Sequence, residues 1–157
     1  MKDIKVLLVD DEEEFVQSLA ERIKMRELGS DVALNGEEAL AKLKEKLPDV
    51  MILDFKMPGI DGLTVLEQVK KAYPGVQVIM LTAHGTPEIE KKARDLGAFD
   101  YLQKPVGIDT LTRIIEKAYT YKQKLENSMM AATFAQAGDF DSAKEIIEKD
   151  KKKKKKK

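Results

Sequence analysis

Val50-Met51-Ile52-Leu53-Asp54 is an unbroken run of four apolar residues closed by one acid. The run does not alternate between apolar and polar residues, so it reads as a short strand covered on both faces, as in a parallel sheet. Residues 4–9 and 76–81 share that character. Weaker runs lie at 31–34, polar enough for a sheet edge, and at 99–102. Helix-length segments separate them. Phe15, Leu19 and Ile23 recur at helical spacing, and so do Ala39, Leu40, Leu43 and Leu47. The same spacing links Leu63, Leu66 and Val69, then Ile89, Ala93 and Leu96, and finally Leu111, Ile114, Ile115 and Ala118. Gly29, Gly75 and Gly97 stand where helices should stop, and Asn35 stands before the helix start Gly36-Glu37-Glu38. Five strands alternating with five helices predict an α/β fold with a five-stranded parallel sheet, helices on both faces and right-handed crossovers.

Composition narrows the chemistry. The 157 residues are 43% apolar and 36% charged, which fits a well-solvated globule with an ample core. The absence of cysteine excludes a disulfide framework, a cysteine-ligated zinc and an iron–sulfur cluster. A single histidine, His84, excludes a histidine-rich metal centre. No apolar stretch approaches the roughly 18 residues of a membrane span. Met1-Lys2-Asp3 leads straight into a strand rather than a signal peptide, so a soluble cytoplasmic protein is expected. The formal charge of zero hides an asymmetry, because seven of the 28 basic residues are the lysines of 151–157. Without them 21 basic residues face 28 acidic ones. Such an acidic body repels phosphate, and nucleic-acid binding is not expected.

The character of the chain changes after about residue 124. Residues 125–137 and 140–149 read as a helical hairpin about Gly138-Asp139, and Phe134, Gly138, Phe140, Ala143 and Ile147 are similar to half of a tetratricopeptide pattern. One hairpin cannot bury its apolar face alone, so it needs the body, a second copy or a partner. The expected organisation is a domain over 1–122, a hairpin extension over 123–150 and a disordered polylysine tail over 151–157. Such a terminal run is more often a dispensable tail or an appended tag than a basic arm for acidic partners.

Ligands of a doubly wound sheet bind outside the carboxyl ends of its strands. At those ends lie Asp10, Asp11 and Glu12, then Asp54, then Thr82, then Lys104-Pro105. Carboxylates brought together raise one another's pKa unless a cation joins them. With no sulfur or imidazole beside them, magnesium is the natural guest, because it leaves coordination places for phosphate oxygens. Lys104 adds a compact positive charge and Thr82 a hydroxyl donor, together suited to a phosphoryl group in flight. A carboxylate can itself be the nucleophile, and Asp54, directly after the central strand, is the candidate.

Asp10-Asp11, Asp54-Phe55-Lys56-Met57-Pro58-Gly59, Thr82-Ala83 and Lys104-Pro105, in this order and spacing, resemble a response-regulator receiver domain. The resemblance covers roughly residues 3–122. It implies the flavodoxin-like strand order 2-1-3-4-5. It further implies that Asp54 accepts phosphate from a sensor histidine kinase. Asp11, Asp54 and the Lys56 carbonyl would then hold magnesium directly, with Asp10 acting through a water. Lys104 would pair with the phosphoryl group across a cis bond to Pro105. Thr82 and Tyr101 would form the switch, altering the face of the fourth helix, fifth strand and fifth helix toward a downstream protein or a second copy. Lys56, Ala83 and His84 occupy positions that tune access and phosphate lifetime.

Two other readings meet obstacles. A haloacid-dehalogenase-type phosphatase also uses a strand-end aspartate and magnesium, but Asp10-Asp11-Glu12-Glu13-Glu14 lacks the Thr or Val its motif requires. A dinucleotide carrier needs a glycine-rich turn after Val9, and none follows. The receiver would either stand alone or be the N-terminal piece of a longer transcriptional regulator.

Overall fold

The computed structural model describes residues 3–136. Met1–Tyr119 is one compact unit, and a second begins at Thr120. Ten elements alternate: β1 (Lys5–Val9), α1 (Glu13–Met25), β2 (Gly29–Ala33), α2 (Gly36–Glu45), β3 (Val50–Leu53), α3 (Gly62–Ala72), β4 (Gln77–Thr82), α4 (Pro87–Asp95), β5 (Asp100–Gln103) and α5 (Ile108–Gln136). All strand pairs are parallel and the order is β2-β1-β3-β4-β5, as expected.

The apolar runs explain why the sheet sits at the centre. Every residue of β3 and β4 is buried. Alternate residues face opposite layers, as the strand period of two requires. Val6, Leu8, Val50, Ile52, Ile79 and Leu81 join Val16, Leu19, Ile23, Leu111 and Ile115 on one side. Leu7, Val9, Met51, Leu53, Val78 and Met80 join Ala39, Leu43, Val65, Leu66 and Val69 on the other.

Helix ends follow local chemistry. Asn35, Asp61 and Thr86 cap α2, α3 and α4 by accepting from the backbone N–H of Glu38, Thr64 and Ile89. Gly97 closes α4 with φ +102°. Its N–H donates to Arg94 and the next, from Ala98, to Ala93.

Gly29 does not have the stopping role its position suggests. Glu27 takes the left-handed place after α1, with φ +64°, and the N–H of Leu28 donates to Ile23. Gly29 is thereby freed to begin β2 two residues before the expected start. Burial of Leu28 beneath the turn drives this choice. Leu47 also leaves its expected helical face. α2 ends at Glu45 because Pro48 disfavours helix before it, and Leu47 is 49% exposed. At the other end of the chain, α5 runs unbroken from Ile108 to Gln136, so residue 122 falls inside a helix. The turn at Gly138-Asp139, the second hairpin helix and the lysine run lie outside the described residues.

Candidate functional site

Order reverses between β1 and β3, and the residues just past their carboxyl ends meet there. The ladder continues one step beyond the strands: Asp10 N–H donates to Ala33 and Asp54 N–H to Val9. Each acid is thus held by backbone on one side and aimed by its own turn on the other. Asp10 Oδ1 accepts from Glu12 N–H at 2.9 Å, and Asp54 Oδ1 accepts from Phe55 N–H at 2.7 Å. Both carboxyls are buried, with Asp10 4% and Asp54 2% exposed.

Gly62 holds the Asp54 turn down. Its N–H donates to Phe55 at 2.8 Å, and a Cβ there would lie 2.3 Å from the Asp54 carbonyl oxygen. Only glycine lets α3 approach the turn this closely.

Lys104 reaches into the same space from the end of β5, across the cis Lys104–Pro105 bond. Its backbone N–H donates to the Thr82 carbonyl. Its side chain is only 10% exposed, with Nζ 2.6 Å from Asp10, 3.4 Å from Glu12 and 3.5 Å from Asp54. Burial opposes the ammonium charge, but the Asp10 hydrogen bond and the surrounding carboxylates outweigh it and hold its pKa above the ordinary 10.5. For Asp10 the balance is reversed: burial lifts its carboxyl above the usual 3.8 despite that hydrogen bond.

Asp10, Glu12 and Asp54 each offer a carboxylate oxygen within 4.8 Å of the others. One ammonium among three carboxylates leaves two negative charges. An all-oxygen set carrying that excess fits a hard divalent cation such as magnesium. Asp11 is exposed and is not a member of this trio. Glu12, noted in the sequence only as a strand-end acid, completes the trio. It stands at the start of α1, where one more residue of turn sends a longer side chain back over Asp10.

Thr82 is fully buried at the end of β4, and its Oγ1 accepts from His84 N–H at 3.1 Å. Lys56, Ala83 and His84 are exposed. Tyr101 lies over Gly85, where a Cβ would come within 1.5 Å of the tyrosine hydroxyl. That hydroxyl is buried without a hydrogen-bond partner, and burial first, then Glu90 and Asp54, raise its pKa. Tyr101 also lines a cavity of about 520 Å³ with Thr86, Glu90, Arg94 and Gln103.

The model of the response regulator receiver domain matches residues 6–116. The chain belongs to that family. As a member it is a regulatory module rather than an ordinary enzyme. The transcriptional regulator NtrC of Salmonella typhimurium is 44% identical over 90 residues, covering 57% of this chain and 19% of that protein. An NtrX-like response regulator of Rickettsia felis is 40% identical over 130 residues, covering 81% of this chain and 27% of that protein. The chain therefore spans only about a fifth to a quarter of the relatives it matches. Among solved structures, a CheY-like receiver from Methanospirillum hungatei superposes with a TM-score of 0.76 at 26% identity, covering 78% of this receiver chain and 98% of that one. The receiver domain of NtrX from Brucella abortus gives 0.68 at 31% identity, with coverage of 73% and 97%. No helix among the described residues is long and apolar enough to cross a membrane.

Proposed function

We propose that this receiver accepts a phosphoryl group on Asp54 from a sensor histidine kinase, in a magnesium-dependent reaction, and thereby switches its protein contacts. The observation that carries the reading is the Lys104 ammonium, held 2.6 Å from Asp10 and 3.5 Å from a 2%-exposed Asp54. In the step, an Asp54 carboxylate oxygen forms a bond to phosphorus while the bond from phosphorus to the donor imidazole nitrogen breaks. The electron pair stays on that nitrogen, and because the other ring nitrogen of the donor carries a proton, the leaving group is a neutral imidazole. Asp54 supplies the nucleophile, Lys104 moves its hydrogen bonds toward the arriving phosphoryl oxygens, and burial keeps bulk water away.

Asp11, Asp54 and the Lys56 carbonyl would hold magnesium, with Asp10 at one remove and Glu12 close by. When bound, magnesium neutralises the excess negative charge of the site and of the phosphoryl group. Thr82 would give its hydroxyl to a phosphoryl oxygen, releasing His84 N–H. Tyr101, which already lies over Gly85, would then turn further inward toward the space Thr82 leaves, changing the surface of α4, β5 and α5 for a downstream protein or a second copy. Ala83 leaves the site open, and Lys56 and His84 tune the phosphate lifetime. A cytoplasmic location suits this chemistry.

The partial coverage of NtrC and NtrX-like relatives favours a second reading of the output: the chain is the regulatory segment of a longer transcriptional regulator. Acetyl phosphate with magnesium tests the core of the proposal. One phosphoryl group is expected on the wild type by intact mass, and none on Asp54→Asn. An equal mass gain in the variant would refute Asp54 as the acceptor.

A further inference from the structure

Lys104 has a fourth neighbour, which carries no charge. Its Nζ lies 4.3 Å from the centroid of the Phe15 ring. Phe15 belongs to the first turn of α1, three residues after Glu12, so both approach the ammonium from one element. The ring is half-buried and packs against the core cluster that contains Val16, Leu19, Leu111 and Ile115. Its place is therefore set by packing, independently of the acids.

The lysine needs such a support. Its stem has four rotatable bonds, and three carboxylates pull on it unequally. The nearest is Asp10, and the most exposed, Glu12, draws it toward solvent. An aromatic face attracts a cation through its quadrupole but is no oxygen acceptor that would rival an incoming phosphoryl group.

We propose that Phe15 is a positioning residue for phosphoryl acceptance: its ring face holds the Lys104 ammonium between Asp10 and Asp54, where a phosphoryl oxygen can take over its hydrogen bonds. This rests on the reading of Asp54 as the acceptor. Phe15 touches no reacting atom and acts only through Lys104.

The test uses the full chain with Phe15→Leu, which keeps an apolar side chain but removes the ring, and Phe15→Tyr, which keeps it. Initial rates of phosphoryl incorporation from acetyl phosphate with magnesium are measured at a temperature where circular dichroism shows all proteins folded. Phe15→Leu is expected to be about three- to tenfold slower, and Phe15→Tyr to stay within about twofold of wild type. The Lys104 Cε protons should show an upfield ring-current shift in wild type and Phe15→Tyr that disappears in Phe15→Leu. A folded Phe15→Leu protein with the wild-type rate, or a Phe15→Tyr protein as slow as Phe15→Leu, would overturn the role of the ring. Either result leaves Asp54 as acceptor intact if wild type incorporates phosphate and Asp54→Asn does not. A wild type that takes up none refutes that underlying reading instead.

Discussion

Replacing Gly62 by alanine places a methyl group against the backbone that carries the proposed phosphoacceptor. The new Cβ would stand 2.3 Å from the Asp54 carbonyl oxygen, 2.8 Å from Phe55 Cα and 3.0 Å from the Asp54 carbonyl carbon. Ordinary contact begins at 3.4 Å, so α3 and the Asp54 turn must separate by about 1 Å. No flexible side chain can absorb the movement. The turn is tied to β1 through Asp54 N–H and Val9, and to α3 through Gly62 N–H and Phe55. Overpacking of this kind costs about 1–3 kcal/mol, and losing the Gly62 hydrogen bond adds about 1 kcal/mol. A loss of about 2–4 kcal/mol is expected, a large part of the roughly 5–15 kcal/mol available to such a domain. Urea unfolding followed by far-UV circular dichroism measures it, with Gly75→Ala as the control. A Cβ at Gly75 meets nothing within 4 Å, so that variant should be neutral or up to about 1 kcal/mol more stable. The Gly62 variant should also accept phosphate from acetyl phosphate more slowly, because the displaced carbonyl belongs to Asp54. Stability within about 0.5 kcal/mol of the Gly75 control would refute the close-approach reasoning.

Three further outcomes are expected. Glu27→Gly relieves the left-handed backbone at φ +64° and should raise stability by up to about 1 kcal/mol, read as a higher melting temperature; a lower one would count against strain there. The Lys104 pKa is raised in the folded state, so its stabilising contribution is complete below about pH 10.5 and is lost as pH climbs through the higher folded value. The gap in urea midpoint between wild type and Lys104→Met should accordingly be constant from about pH 8 to 10 and narrow above that, whereas a gap that widens would contradict the linkage. Calorimetric titration should find magnesium affinity at least about tenfold weaker in Asp11→Ala and unchanged in Ser18→Ala. Weakening in Glu12→Ala but not Asp11→Ala would instead assign the ion to the trio Asp10, Glu12 and Asp54.

Periodicity determined the alternation of five strands with five helices in this chain, while the strand order came from the family resemblance. A sheet covered on both faces needs apolar residues at every strand position, so Val50–Leu53 and residues 76–81 betray buried strands without any alternation to interpret. The placement of Asp10, Asp54, Thr82 and Lys104 at the strand ends was legible for a related reason. Polar side chains that break off apolar strands have few ways to be satisfied, and doubly wound sheets collect them at one rim.

What the one-dimensional pattern cannot encode is distance between side chains that approach from different elements. Phe15 looks like any other member of an apolar helical stripe until β5 brings Lys104 over its ring. Gly62 and Gly85 look like turn residues until α3 presses on Asp54 and Tyr101 lies across residue 85. The choice of Glu27 over Gly29 to end α1 depended on where Leu28 could be buried. That Glu12 rather than Asp11 joins the buried carboxylates was settled by the turn between β1 and α1. Local spacing places a residue along its own strand or helix; only packing of those elements against one another decides which atoms meet.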